Sequence, residues 1–552
     1  MDSIARCQDR AKPAANRNNI QSDEKDDAFF RFAKSQPPNV NDFSHQFENV
    51  IATKIPQKIT SIETEKIPYA DRVEHDESLP QQEPPFFRHL GESTLETLGK
   101  PADPLAKIIS RLLGVEHYII KPELDGAPIG IQQIPERPPL ILELNEKFLG
   151  PGVLAQGIEL PTGAVWRPSI WVFGTFRTGL AYVDNRAGTF TEWANRLDLF
   201  AQLNLSGTER LVVGMRPLDK ERGNRRVFSS YDFNGGDWSD GWNSDLQTFF
   251  FEGDFGEIFP NLDPFDTREL DFGFSVGRQP LTFQRGLLIN EDMIDATSVT
   301  RNTIYGDGLL NLRATGVFGW NNINRSNNMH DRNARLYGLF TEGDFRKNTV
   351  NADLVYLDSQ SNFKSQFAAG VSATRRFYGY ENTYNSRVHF LVSIPTEGES
   401  SATQQGELFF SQFSWTRHHS EDIVYLNSFW AIYTFTSPAR GPLAGGPLGQ
   451  TGILFSSAGL GRFPAPLSNQ AGDVVGASLG YQMFFEGVSR QVVFEIGGRK
   501  DTNSINGNAI ATGIRYQQAL DQHWIFLVDS FISKRESIGL VPGVRIEFFS
   551  KF

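Results

Sequence analysis

From Trp166 onward the sequence alternates between apolar and polar residues with a period of two, in segments separated by turns. In "NRLDLFAQLNLSG", Leu197, Leu199, Ala201, Leu203 and Leu205 share one face, and Arg196, Asp198, Gln202 and Asn204 share the other. "SGTE" turns the chain into "RLVVGMRP", which sets Leu211, Val213 and Met215 against Arg210, Val212, Gly214 and Arg216. "GLLNLRATGVFGW" repeats the pattern, with Leu310, Leu312, Ala314, Phe318 and Trp320 opposite Asn311, Arg313 and Thr315. "SRVHFLVSI" sets Val388, Phe390, Val392 and Ile394 opposite Arg387, His389 and Ser393. "QVVFEIGGRK" and "AIATGIRYQ" place Glu495, Arg499 and Arg515 on polar faces. Period two is the spacing of a β-strand that buries one face and wets the other.

Many of these segments approach ten residues or more, enough for a tilted strand to cross a bilayer, whereas strands of soluble sandwiches are usually about 5–6 residues. Such segments, joined by turns, are the pattern of a transmembrane β-barrel. The fold class is therefore all-β, an antiparallel transmembrane barrel of about 16 to 18 strands. Segments near residues 246–262 and 440–470 resist assignment. Trp166, Trp171, Trp320, Trp415 and Trp524 fall near strand ends, where aromatic girdles form. The stretch "VPGVRIEFFSKF" alternates Val544, Ile546, Phe548, Ser550 and Phe552 with Arg545, Glu547, Phe549 and Lys551. It is expected to pair with the first strand and close the cylinder, because an apolar medium tolerates no open sheet edge.

Residues 1–160 have a different texture, polar and proline-rich, as in "AKSQPPNVNDF" and "QIPERPPLILEL". The expected organisation is a largely disordered extension over 1–160, with a short helix near 104–114, followed by a barrel over 161–552. Asp103 and Pro104 start the helix, and Leu105, Ile108, Ile109, Leu112 and Leu113 mark its face. "MDSIARCQDRAKPAANRNN" has no apolar h-region, so no secretory signal peptide is legible in it, although a barrel of this kind requires export.

Composition agrees with a single-layered sheet. Hydrophobic residues make up 39% of the 552, yet Phe numbers 45 and Gly 50. The formal net charge of -12 argues against a nucleic-acid partner. Cys7 is the single cysteine, which leaves neither an intramolecular disulfide nor a cysteine zinc site. No HExxH or phosphate-cradling Gly-Lys-Ser/Thr sequence occurs, and no cofactor is expected. Asp237, Asp240 and Asp245 in "FNGGDWSDGWNSD" lack calcium-loop spacing and read as a mobile external loop. His418 and His419 are adjacent, which on a strand sends them to opposite faces.

The ending "VRIEFFSKF" resembles the C-terminal signal of Gram-negative-type outer-membrane proteins. "ELDFGFSVGRQPLTFQRGLLINEDMIDATSVTR" resembles the "GRQ" strand and loop of large porins, the broad group that includes phosphate-selective and alginate-export porins. The resemblance implies a bacterial outer-membrane location with lipid around the barrel. It also implies a homotrimer, and recognition by barrel-assembly machinery through Phe548 and Phe552. The expected function is passive diffusion of small hydrophilic solutes.

A barrel this wide leaves an aqueous interior, and charges at its narrowest point select. The stretch from Arg278 to Arg301 is read as the inward loop, with Gln279, Arg285, Glu291, Asp292, Asp295 and Arg301 as constriction residues. Arg278 itself shares parity with the lipid face and belongs at a strand end, or at a bulge beside Gly277. Strand parity assigns Arg196, Asp198, Arg210, Arg216, Arg313, Arg387, Glu495, Arg499 and Arg515 to the lumen wall, where arginine outnumbers acid and favours anions. Two other readings fit the same pattern. One is a plugged barrel with a structural, adhesive or polymer-export role. The other is a soluble β-rich carbohydrate-binding protein.

Overall fold

The computed structural model describes residues 140–150, 154–185, 188–265, 267–379, 382–417, 420–456, 458–486, 488–503 and 507–552. The expected helix near 104–114, most of the 1–160 extension, Cys7, His418 and His419 lie outside the described residues, as does the side chain of Asp292.

Eighteen antiparallel strands close into one barrel. They are β1 (Ser169–Asn185), β2 (Gly188–Asn204), β3 (Arg210–Met215), β4 (Leu246–Asp254), β5 (Phe272–Phe283) and β6 (Ile289–Gly306). β7 (Leu309–Asn321), β8 (Ala334–Phe345), β9 (Asn348–Ser359), β10 (Gln366–Tyr378), β11 (Asn382–Pro395) and β12 (Gly406–Arg417) follow. The circuit is completed by β13 (Ile423–Thr434), β14 (Gly472–Phe485), β15 (Arg490–Asp501), β16 (Ala509–Ala519), β17 (Trp524–Arg535) and β18 (Gly539–Lys551). β18 pairs with β1 from Gly543 opposite Val183 to Lys551 opposite Thr175. Phe552 and Gly174 then exchange two backbone hydrogen bonds of 2.8 and 3.1 Å. The closing role expected of the last strand is met residue by residue.

β3 is short because the chain leaves the wall after Met215. A hairpin formed by Asp219–Arg222 and Arg225–Asp232 takes the vacated place, and its second strand pairs with Glu192–Asn195 of β2. Among the described residues, turns such as 307–308, 346–347 and 486–489 share one end of the barrel with both ends of the strand circuit. The connections 216–245, 322–333, 396–405 and 435–471 share the other, which we call the loop end. At the turn end, 255–271 contains the short helix α1 (Phe255–Ile258), capped by Asp254.

The alternation places apolar side chains outward. Leu180, Val276, Leu339, Leu354, Val371, Phe390, Leu426, Leu479, Ile496, Ile514 and Ile546 are all exposed on the outer wall. Toward the loop end this belt is bordered by Tyr182, Trp193, Trp320, Tyr337, Tyr356 and Trp430, and toward the turn end by Tyr384, Phe413, Trp415, Tyr516 and Phe526. An apolar belt between two aromatic bands on a closed cylinder is the surface of a membrane-spanning barrel. Two expected girdle residues belong elsewhere. Trp171 has inward parity and donates to the Glu146 carbonyl (2.7 Å), while Trp166 sits in a small hairpin against Ile158.

Leu479 stands near the middle of β14 on the lipid face, 47% exposed. Leu479→Arg is expected to destabilise the folded barrel by roughly 2–4 kcal/mol in bilayers, the cost of arginine at the midplane. Urea titration of the protein refolded into lipid vesicles measures this.

Candidate functional site: a loop-filled, charge-lined lumen

Inward positions on neighbouring strands stand side by side, so charges placed there meet across the ladder. Arg216 donates to Asp198 Oδ1 (2.7 Å), and Arg196 donates to Asp198 Oδ2 (2.8 Å). Across the closure, Arg177 donates to Glu547 Oε1 (2.5 Å), and Arg545 lies 2.8 Å from Glu547 Oε2. Arg545 also reaches Asp529 Oδ2 (2.5 Å), whose Oδ1 accepts from Arg515 Nε (2.7 Å). The result is a girdle of alternating guanidinium and carboxylate groups from β1, β2, the end of β3 and β16–β18, five of the first to three of the second.

The remaining donors of this girdle hold a loop. The chain from Phe435 to Ala471, between β13 and β14, folds back into the barrel, and Phe435 to Leu448 are buried without interruption. Arg177 donates to the Ala458 carbonyl (2.8 Å), Arg545 to the same carbonyl (3.1 Å), and Arg196 to that of Gly459 (3.3 Å). Arg535 donates to the carbonyls of Ala465 (3.1 Å) and Pro466 (2.9 Å), and Arg499 to that of Ser468 (2.7 Å). Acids hold the loop's N–H groups. Glu495 accepts from Ile453 N (2.9 Å) and Leu454 N (3.1 Å), and Glu192 accepts from Arg462 N (2.6 Å). Glu495 also accepts from the Tyr425 hydroxyl. A loop buried in a polar bore leaves backbone groups that need partners, and the wall charges supply them.

Its apolar side chains complete a core. Leu448, Leu454, Phe455 and Leu467 pack with inward Leu336, Leu357, Leu391, Leu408, Phe410 and Phe429 from the wall. A second inward element is the β5–β6 hairpin end. The β5–β6 register shifts between Gln279 and Leu281. Beside it Gly277 has φ +125, where an added Cβ would meet the Phe249 carbonyl oxygen at 2.3 Å. Beyond this irregularity the tip enters the lumen. Leu287 and Leu288 join the core, and Ile289–Asn290 pair in parallel with Ala439–Arg440.

This arrangement corrects the expected constriction. Residues 278–301 are mostly strand, because β5 and β6 satisfy each other's backbone over nearly their whole length. Asp295 and Arg301 stand directly opposite Arg278 and Phe272, on the outer face. Asp295 accepts from Arg278 Nε (2.8 Å) near the loop-end aromatic band, and Arg301 donates to the carbonyls of Arg268, Glu269 and Asp271. Arg278 therefore remains on the outside, tied to Asp295. Gln279 is inward and donates to the Ala296 carbonyl (3.1 Å). Glu291 is fully buried and accepts from Asn324 N (3.0 Å). Arg285 lies at the tip, exposed within the lumen.

All nine charged wall positions face inward. Arg196, Asp198, Arg216, Glu495, Arg499 and Arg515 belong to the buried girdle and its loop contacts. Arg210 pairs with Glu252, Arg313 donates to Asn302 (3.0 Å) with Glu342 at 3.7 Å, and Arg387 donates to Thr374 (2.8 Å). These three line the part of the bore that the loop leaves uncovered. Asp237, Asp240 and Asp245 are exposed, and among the described residues no group of His, Cys, Asp and Glu is placed to hold a metal.

Sequence reasoning missed the loop, its anchors Arg177, Glu192, Arg535 and Arg545, and Asp529, which holds Arg545. One signal was present. Between Phe435 and Ala471 the only charged residues are Arg440 and Arg462, against seven Gly and five Pro, an improbable composition for a water-exposed loop of that length.

No family model matches the chain, and no curated protein matches it. Among solved structures it is similar to OccK2 (OpdF) of Pseudomonas aeruginosa, with 11% identity over 69% of this chain and 97% of that chain, at TM-score 0.46. It is similar to a BenF-like porin from Pseudomonas fluorescens Pf-5, with 10% identity, coverage of 69% and 98%, and TM-score 0.48. It is also similar to OccAB2 of Acinetobacter baumannii, with 9% identity, coverage of 69% and 98%, and TM-score 0.47. Likenesses at these values carry no inference about this chain, and none of the three bears a phosphate-porin or alginate-porin name.

Proposed function

We propose that this protein is an outer-membrane channel that passes small hydrophilic solutes by diffusion through a bore narrowed by residues 435–471, with a preference for anions. The turn end faces the periplasm in this reading, as short turns do in outer-membrane barrels. The observation that carries it is the division of the wall: greasy residues outside, and inside a polar bore where an inward loop is clamped by backbone-directed charges. A wall of 18 strands without such a loop would be a wide pore. The loop reduces it to the strip lined by Arg210, Glu252, Arg313, Glu342, Arg387 and Arg285, where cations outnumber acids. Selection then follows from charge at the narrowest point. Neither a covalent step nor an energy source is needed.

Purified protein in a planar bilayer is expected to give small, stepwise conductance with a reversal potential in a salt gradient on the anion-selective side. Correctly inserted protein that stays silent rejects the channel. That outcome favours the plugged barrel, the reading to which the unbroken burial of Phe435–Leu448 otherwise lends support.

A further inference from the structure

The β5–β6 tip has a backbone that its own sequence does not favour. Gln284, Arg285 and Gly286 have φ of 52°, 53° and 77°, three successive residues in the left-handed region. Glycine takes that conformation freely, but side chains with a Cβ resist it, and such residues persist only where surroundings over-determine them. The surroundings are explicit. The Gln284 carboxamide is buried and donates from Nε2 to Asp353 Oδ2 of β9 (2.8 Å) and toward the Gly370 carbonyl of β10 (3.4 Å). Its Oε1 accepts from His389 Nδ1 of β11 (2.8 Å). Gly370 leaves room for this approach, since a Cβ there would lie 3.1 Å from Gln284 Cγ. On the other flank Arg440 donates to the carbonyls of Gly286 and Leu287, and Leu287 and Leu288 are fully buried.

Arg285 is the one exposed residue between these two locks. Its chain neighbour Gln284 is bonded to His389 of β11, and Arg387 stands two residues along on the same inward face of that strand. Two guanidinium groups from different elements are thus brought toward one spot of the open bore. Like charges repel, so a tip that stores backbone strain and also carries this repulsion invites a functional reason.

We infer that Gln284 is the positioning residue of a charge filter: by bridging β9, β10 and β11 it fixes the strained tip that holds Arg285 beside Arg387, and small anionic solutes or chloride pass between or against these two groups. This rests on the channel reading and assigns its selectivity to a place. Gln284 touches no solute; it acts through Arg285. The neighbouring groups that share the bore, Arg313 and Glu342, are half-exposed and bond to Asn302 and Asn351 rather than to the tip.

The test uses the full chain in a Cys7→Ser background with two readouts. The first is reversal potential in a KCl gradient. The second is the ratio of reaction rates of anionic and cationic methanethiosulfonates at Thr374→Cys, beside Arg387, which reports local potential whether or not current flows. Arg285→Ala is expected to move the reversal potential toward cations and to lower the labelling ratio several-fold. Gln284→Ala is expected to reproduce both shifts although Arg285 is still present, with unit conductance of the same order. If Gln284→Ala does not fold, Asp353→Asn, which weakens the same bridge, is expected to give the same shifts to a smaller degree. An unchanged labelling ratio in both Arg285→Ala and the bridge variant overturns the filter, even if the channel conducts. A silent wild type whose labelling ratio still falls in Gln284→Ala sinks the channel reading and leaves the positioning role standing.

Discussion

Replacing residues 441–466 by a flexible Gly/Ser linker is expected to raise single-channel conductance several-fold and to strengthen anion selectivity. The first effect follows from geometry. Without that segment the cylinder has the interior of an open 18-stranded pore, wide enough for a water-filled channel. The second follows from chemistry. Arg177, Arg196, Arg535 and Arg545 now donate to carbonyls between Ala458 and Pro466. With that segment gone their N–H groups turn to water and to passing ions, while Glu192 and Glu495 lose backbone donors. Retaining Phe435–Arg440 and Leu467–Ala471 keeps the parallel pairing of Ile289–Asn290 with Ala439–Arg440 and the packing around Leu467. Single-channel recording of the two proteins under one salt condition decides the matter. Equal conductance would mean that the loop does not define the passage.

Asp529→Ala is expected to be the most damaging single change at the barrel closure. Asp529 accepts from both Arg515 and Arg545, and Arg545 in turn shares Glu547 with Arg177. Removing the carboxylate takes from Arg515 its paired acid and leaves the buried Arg545 with Glu547 and the Ala458 carbonyl alone. Breaking a buried pair by deleting one partner costs about 3–5 kcal/mol, because the surviving charge stays desolvated. The girdle spans β16, β17, β18 and β1, so the loss falls on the seam that closes the cylinder. A lower urea midpoint for the vesicle-reconstituted variant, and a lower temperature for its conversion to the unfolded electrophoretic form, are the measurements. Asp529→Asn, which keeps an acceptor oxygen, is expected to lose about half as much or less.

The wall was legible in the sequence because a barrel strand carries its own instructions. Alternation at Leu197–Leu203, Leu310–Trp320 and Val388–Ile394 is local, and local pattern fixes which face meets lipid. It also fixed the inward direction of Arg196, Arg313, Arg387 and Glu495 without any knowledge of neighbours. The interior was not legible, because its contacts are set by tertiary folding. Arg177 finds Ala458 and Glu547 only once the cylinder has closed, across hundreds of residues. The same limitation misled the reading of 278–301. A charged stretch reads as a loop, yet the parity from Phe272 to Val276, continued through Val299, describes an outward strand pair. The loop that does fill the bore has no periodicity to betray it, only its near-absence of charge. Trp171 shows a smaller failure of the same sort: an aromatic near a strand end faces lipid or lumen according to parity, and its parity was inward.

Accessibility along β14 and β15 tests most directly whether the wall divides lipid from lumen. In the Cys7→Ser background, single cysteines at Val475, Leu479 and Phe494, each carrying a fluorophore in vesicles with brominated acyl chains, are expected to be strongly quenched, and cysteines at Val474, Ser478 and Val493 are expected to be spared. Quenching that ignores this alternation, or that falls on the second set instead, would contradict a cylinder with its greasy face outward and its charges turned in.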